Sequence, residues 1–135
     1  MLALRYEKRW RLAGIVLLLA VLAAMMMPTL WPWLPASNNL LVDKWLHMLT
    51  FVFLSVWFTG QYARSYYWRL VVGLTAFGVL IELGQRMISY RSAEWMDLVA
   101  DLGGIAVGFG IATAGLGGWS LRFEQWLEKA RVSSD

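Results

Sequence analysis

The chain has a single histidine, His47, in the stretch DKWLHMLTF that opens one of its most apolar runs. Asp43 lies one helical turn before it, and Lys44 stands beside that acid. Further along come Glu82, Gln85 and Arg86, then Arg91 and Glu94, then Asp97 and Asp101. Three kinds of chemistry use such a set. Lys44 and Arg91 can grip an anionic head group, since cations with several donors match phosphate oxygens. Glu82 and His47 can serve as acid and base, with Asp97 a further catalytic candidate. Asp43, His47, Glu82, Asp97 and Asp101 can hold a divalent metal, and one imidazole among carboxylates suits Mg²⁺ or Mn²⁺ better than Zn²⁺. No familiar metal-binding motif is present, so the residues leave both the metal and the reaction open.

These groups sit in an unusually apolar chain. Of 135 residues 59% are hydrophobic and 16% charged, where a soluble domain carries roughly a quarter charged. Nine Trp and 12 Gly suit membrane helices, which use more glycine and mark their ends with tryptophan. The net charge is only +3 and the basic residues lie between apolar runs, which argues against a nucleic-acid partner. Without cysteine, neither a disulfide nor thiolate chemistry is available.

The expected architecture is all-α. A single domain, residues 1–135, forms a bundle of four transmembrane helices over approximately 12–28, 44–61, 69–88 and 96–116. Each span is close to the ~20 residues a bilayer requires. The first follows a basic start, RYEKRWR, but no small-residue cleavage pattern follows it, so a retained helix is expected. Residues 119–131 alternate Leu121, Phe123, Trp126 and Leu127 with charges, as a short amphipathic helix on the membrane surface would; a frayed soluble tail is the competing reading. The segment PTLWPWLPASNNLLV makes a stiff loop between the first two spans. An assembly of several copies is compatible with this plan.

Basic residues set the orientation. Arg5, Lys8, Arg9, Arg11, Arg64, Arg69, Arg122, Lys129 and Arg131 fall on one side, against Lys44, Arg86 and Arg91 on the other. Both termini are therefore expected in the cytoplasm. Trp31, Trp33, Trp45, Tyr90 and Trp95 would mark the outer interface, and Trp10, Tyr62, Tyr66, Tyr67, Trp68 and Trp119 the inner one. With a rise of 1.5 Å per residue, Glu82 stands about 20 Å above Arg69 and His47 about 21 Å above Gln61. Both then lie at one level in the outer leaflet, able to touch if the second and third spans are neighbours.

Spacing predicts which faces turn inward. Asp43 and His47 share a face continued by Phe51 and Leu54. Gly78, Glu82 and Gln85 form a stripe on the third span. On the fourth, Asp97, Asp101, Gly104, Gly108 and Ala112 follow at three- and four-residue intervals, and small residues so placed let helices approach closely.

The order DKWLH, GVLIELGQ, Arg91 and DLVADLGGIAVG resembles the VanZ-like family of small bacterial membrane proteins. That family's pattern is Asp-Lys-x-x-His, then Glu-x-x-Gln, an Arg, and Asp and Asn ahead of spaced glycines. Asp43, Lys44, His47, Glu82, Gln85, Arg91 and Asp97 match it, while Asp101 stands where the family more often has Asn. The likeness covers roughly residues 40–115. It implies a multi-pass protein of the bacterial cell (inner) membrane and a link to tolerance of teicoplanin-type glycopeptides, which act on cell-wall precursors; it implies no catalytic mechanism.

The function expected is recognition of a membrane lipid or lipid-linked cell-envelope precursor. His47, Glu82, Gln85, Arg91, Asp97 and Asp101 would make the site, with Asp43 and Lys44 at its rim. The alternatives are a metal-assisted or acid/base enzyme acting on a lipid head group, and a purely structural ion-pair network in which His47 caps Glu82. A charge at the bilayer centre costs about 2.5–3.5 kcal/mol, and buried pairs recover little of that, which favours function over structure. Arg86 and Glu94 are the weakest members, as loop-edge charges. A proton path is disfavoured, because the inner halves of the second and third spans offer only Ser55, Thr59 and Thr75.

Overall fold

The computed structural model describes residues 1–26, 40–87 and 95–133. Four helical runs, and no strand among the described residues, make up the fold. Helix α1 spans Glu7–Met26, α2 Leu40–Gln61 and α3 Tyr67–Arg86, the last entered through a 3-10 turn at Arg64–Tyr66. The fourth run comprises α4 (Trp95–Ile111), a π-helical turn (Ala112–Leu116) and α5 (Trp119–Val132). Tyr90, Arg91, Glu94, Trp31, Trp33 and most of the proline-rich loop lie outside the described residues.

Three of the runs are long and apolar enough to cross a membrane, the mark of a membrane protein: Glu7–Met26, Arg64–Arg86 and Trp95–Val132. Their outward faces carry large apolar side chains such as Leu12, Leu19, Val72, Leu80, Leu83 and Val99. A soluble monomer rarely exposes so much contiguous apolar surface. Helix α2 is not among the three. Its 22 residues nonetheless rise about 33 Å, with Asp43, Lys44 and His47 in the first half and Gln61 at the end.

The helices alternate in direction, as side-chain neighbours show. Trp10 meets Trp57 near the start of α1, while Gln85 donates to the Met25 carbonyl near its end. Hence α1 runs with α3 and against α2. Helix α4 runs parallel to α2. Asp97 neighbours Lys44, Asp101 neighbours His47, Gly104 touches Met48 and Phe51, and Gly108 touches Ser55. A Cβ on Gly104 would lie 2.3 Å from the Met48 carbonyl oxygen, and one on Gly108 2.5 Å from Ser55 Cβ. The small-residue stripe thus lets α4 lie directly on the backbone of α2. Phe51, Leu54, Leu74, Ile81 and Ile105 fill the core between α2, α3 and α4.

One end of the molecule is laced by hydrogen bonds that answer the exposed carbonyls closing α2. A helix leaves its last four C=O groups without intrahelical donors, and in an apolar medium each needs another partner. Here Gly118 N–H donates to Thr59 O (3.0 Å), the Ser120 hydroxyl to Gly60 O, and Leu2 N–H to Gln61 O (2.8 Å). Trp119 Nε1 adds a bond to Val56 O at 3.0 Å. Trp10, Trp57 and Trp119 close into a triangle with centroids 5.4–5.7 Å apart. The break that brings Trp119 there rests on two glycines of positive φ, Gly115 (143°) and Gly118 (73°), a backbone that other residues rarely adopt.

The tail is therefore an ordered helix, docked on the chain's own beginning. Glu124 accepts from Arg5 N–H (2.7 Å), Tyr6 N–H (3.1 Å) and Trp10 Nε1 (2.8 Å). These donors precede and open α1, where the helix dipole also favours an anion. Burial pushes the Glu124 carboxyl up, but these donors and the Arg5 guanidinium together hold it below the usual glutamate range. A depressed carboxyl stabilises above its unfolded value and ceases to do so as pH falls through the folded one. Docking of the N-terminal segment should thus be complete above the ordinary glutamate value of about 4.3 and be lost on further acidification. Glu124→Ala should remove about 1.5–3 kcal/mol at neutral pH and expose Arg5 and Arg9 to trypsin. Unchanged cleavage in Glu124→Ala would show that the carboxylate does not hold the segment.

Candidate functional site

At the opposite end, where α2 and α4 begin and α3 finishes, the polar residues converge. His47, Glu82, Gln85, Asp97 and Asp101 are all buried, His47, Gln85 and Asp101 completely so. Asp43 and Lys44 are partly exposed at the rim. Each helix reaches this point for a local reason. On α2 the four-residue step from Asp43 to His47 leads into fully buried Phe51. On α3 the buried row Gly78, Ile81, Glu82, Gln85 occupies one face. On α4 Asp97 and Asp101 head the row Gly104, Ile105, Gly108 that packs against α2.

His47 Nδ1 lies 2.9 Å from Asp101 Oδ1, and Lys44 Nζ donates to Asp97 Oδ1 at 3.4 Å. The cap of His47 on Glu82 that the purely structural alternative foresaw is accordingly replaced by a bond to Asp101. The cause is the glycine stripe: α4 comes closest to α2, so its acids meet α2 first. Glu82 nonetheless shares the level of His47. One ligand atom from each of His47, Glu82 and Asp101 falls within 4.8 Å of the others, and the same holds for Asp43, His47 and Asp97. His47 belongs to both sets.

Not every predicted member points into this cluster alone. Gln85 Nε2 donates to Met25 O at 3.1 Å and so ties α3 to the end of α1. Arg86 is exposed, and Arg91 and Glu94 lie outside the described residues. Among the described residues, His47 Nε2, Asp101 Oδ2 and Gln85 Oε1 are buried without a hydrogen-bond partner. Asp101 Oδ2 faces α3, 2.8 Å from where a Cβ on Gly78 would stand, one turn before Glu82. Gly78 is small because the carboxylate needs that space.

The arrangement can do three things chemically. It can accept a cation among carboxylates, exchange a proton between His47 and Asp101, or hold a polar group that enters past Asp43 and Lys44. Sequence reasoning did not single out Glu124 or Trp57, which organise the far end. Comparison with protein-family models, with curated proteins and with solved structures found no match.

Proposed function

We propose that this chain crosses a bacterial cell membrane four times, with both termini in the cytoplasm, and that its buried polar cluster recognises the head group of a lipid or lipid-linked cell-envelope precursor at the outer leaflet. Meeting of His47, Glu82, Asp97 and Asp101 from three helices at one end of an apolar molecule carries this reading. Intramembrane ionisable groups are expensive and are kept chiefly for function. The nine basic residues on the side of the termini support the orientation, and α2, on average no less apolar than α1 and α3, is long enough to span. The resemblance of DKWLH, GVLIELGQ and DLVADLGGIAVG to the VanZ-like family adds the expectation of glycopeptide tolerance, teicoplanin in particular.

Lys44, at the rim and bonded to Asp97, is placed to meet an arriving anion. Native mass spectrometry of lipids co-purified with wild type, Lys44→Ala and Glu82→Gln tests the proposal. Selective enrichment of one head-group class in wild type, reduced about tenfold in both variants while their helical content stays intact, is the expected result. Lipid profiles that match bulk membrane in wild type, or that do not change in the variants, would reject head-group recognition.

A further inference from the structure

A head group with a phosphate meets a difficulty at this site. Asp43, Glu82, Asp97 and Asp101 outnumber Lys44 and His47 among the described residues, and unscreened carboxylates repel an anion in a medium of low dielectric. A cation among them would remove that repulsion. We infer that His47, Glu82 and Asp101 hold one divalent metal ion, of the Mg²⁺ or Mn²⁺ type, between α2, α3 and α4.

Geometry supplies the first support. The three candidate ligand atoms lie within 4.8 Å of one another, each from a different helix. Three ligands at about 2.2 Å around one ion stand about 3.1–3.8 Å apart, so closure asks the side chains to draw together by up to roughly 1–1.7 Å. The second support is independent of the clustering. Asp101 is fully buried, yet its Oδ2 has no hydrogen-bond partner among the described residues and is turned toward the α3 face that carries Glu82. His47 is fully buried as well, with Nε2 likewise unpartnered. Buried polar atoms left without partners are rare, and each points to something that completes it. Two such atoms beside the Glu82 carboxylate form a donor set rather than a satisfied core.

Asp43 and Asp97 stand one turn nearer the starts of α2 and α4 than His47 and Asp101 and form with His47 the second set of converging ligand atoms. With three protein ligands, Mg²⁺ would keep positions for water or a phosphate oxygen, since it usually retains part of its hydration shell. For the phosphate this inference rests on the head-group reading; for the metal it does not.

The test is titration of purified, chelator-treated protein with Mn²⁺, followed by electron paramagnetic resonance, alongside Asp101→Asn and Glu82→Gln. Wild type should bind one Mn²⁺, displaceable by Mg²⁺, and each variant should bind at least about tenfold more weakly while staying monodisperse and helical. Absence of saturable Mn²⁺ binding by wild type would overturn the inference whatever the variants do. So would undiminished binding in either variant, since the ion would then sit elsewhere. Repeating the lipid profile separates the two claims. Metal binding without lipid selectivity removes the head-group reading alone, and selectivity that persists in metal-free protein with no Mn²⁺ site removes the metal alone.

Discussion

Gly104→Ala should destabilise the protein by about 1–3 kcal/mol, while Gly103→Ala, one residue away, should leave it unchanged or gain up to about 1 kcal/mol. The contrast isolates the helix contact from any change in chain flexibility. A methyl group on Gly104 would stand 2.3 Å from the Met48 carbonyl oxygen and 2.9 Å from Phe51 Cβ, so the backbones of α2 and α4 must separate. One on Gly103 meets nothing within 4 Å. Separation also lengthens the His47–Asp101 bond, now 2.9 Å, so site function should fall along with stability. Denaturation of both variants in detergent decides the matter, and equal stabilities would remove close backbone contact as the basis of this packing.

The second large effect distinguishes a structural pair from a working one. Asp101→Ala should cost about 3–5 kcal/mol, because it leaves the buried His47 ring without its partner. Replacing both residues, as in His47→Leu with Asp101→Leu, should restore stability to about that of wild type, since a buried polar pair is seldom worth more than packed hydrocarbon. The same double variant should lack lipid selectivity and Mn²⁺ binding altogether. A double variant that kept both properties would show that this pair serves packing alone, and one as unstable as Asp101→Ala would show that the polar pair is needed to fold.

Which faces turn inward was legible before any coordinates. Three- and four-residue spacing determines a helix face, so Asp43, His47, Phe51 and Leu54, or Asp97, Asp101, Gly104 and Gly108, must align wherever the helix goes. Heights followed from the helical rise, which put His47 and Glu82 at one level. The bonding partner did not follow. A short connection favours α2 with α3, but Gly104 and Gly108 remove the side chains that would hold α4 away, and Asp101 takes the His47 bond. Of the expected four spans, three runs are plainly long and apolar enough among the described residues. Least legible was the far end. Glu124 reads as one more surface acid on an amphipathic helix, and nothing local reveals that its donors lie near Arg5, 119 residues away. The glycines at 115, 117 and 118 are visible as a break, but the direction in which they turn the chain is set by the Trp10–Trp57–Trp119 triangle, which only tertiary packing defines.

The clasp between Glu124 and the segment Arg5–Trp10 joins residues up to 119 positions apart along the chain. On a ribosome adding about 5–20 residues per second, the opening segment waits roughly 6–24 s for its acid to appear. Until then the amides ahead of α1 and the carbonyls that end α2 must be served by water at the membrane surface. The clasp is thus a locking step that waits for residue 124, and a chain truncated before it would be inserted yet left unlatched.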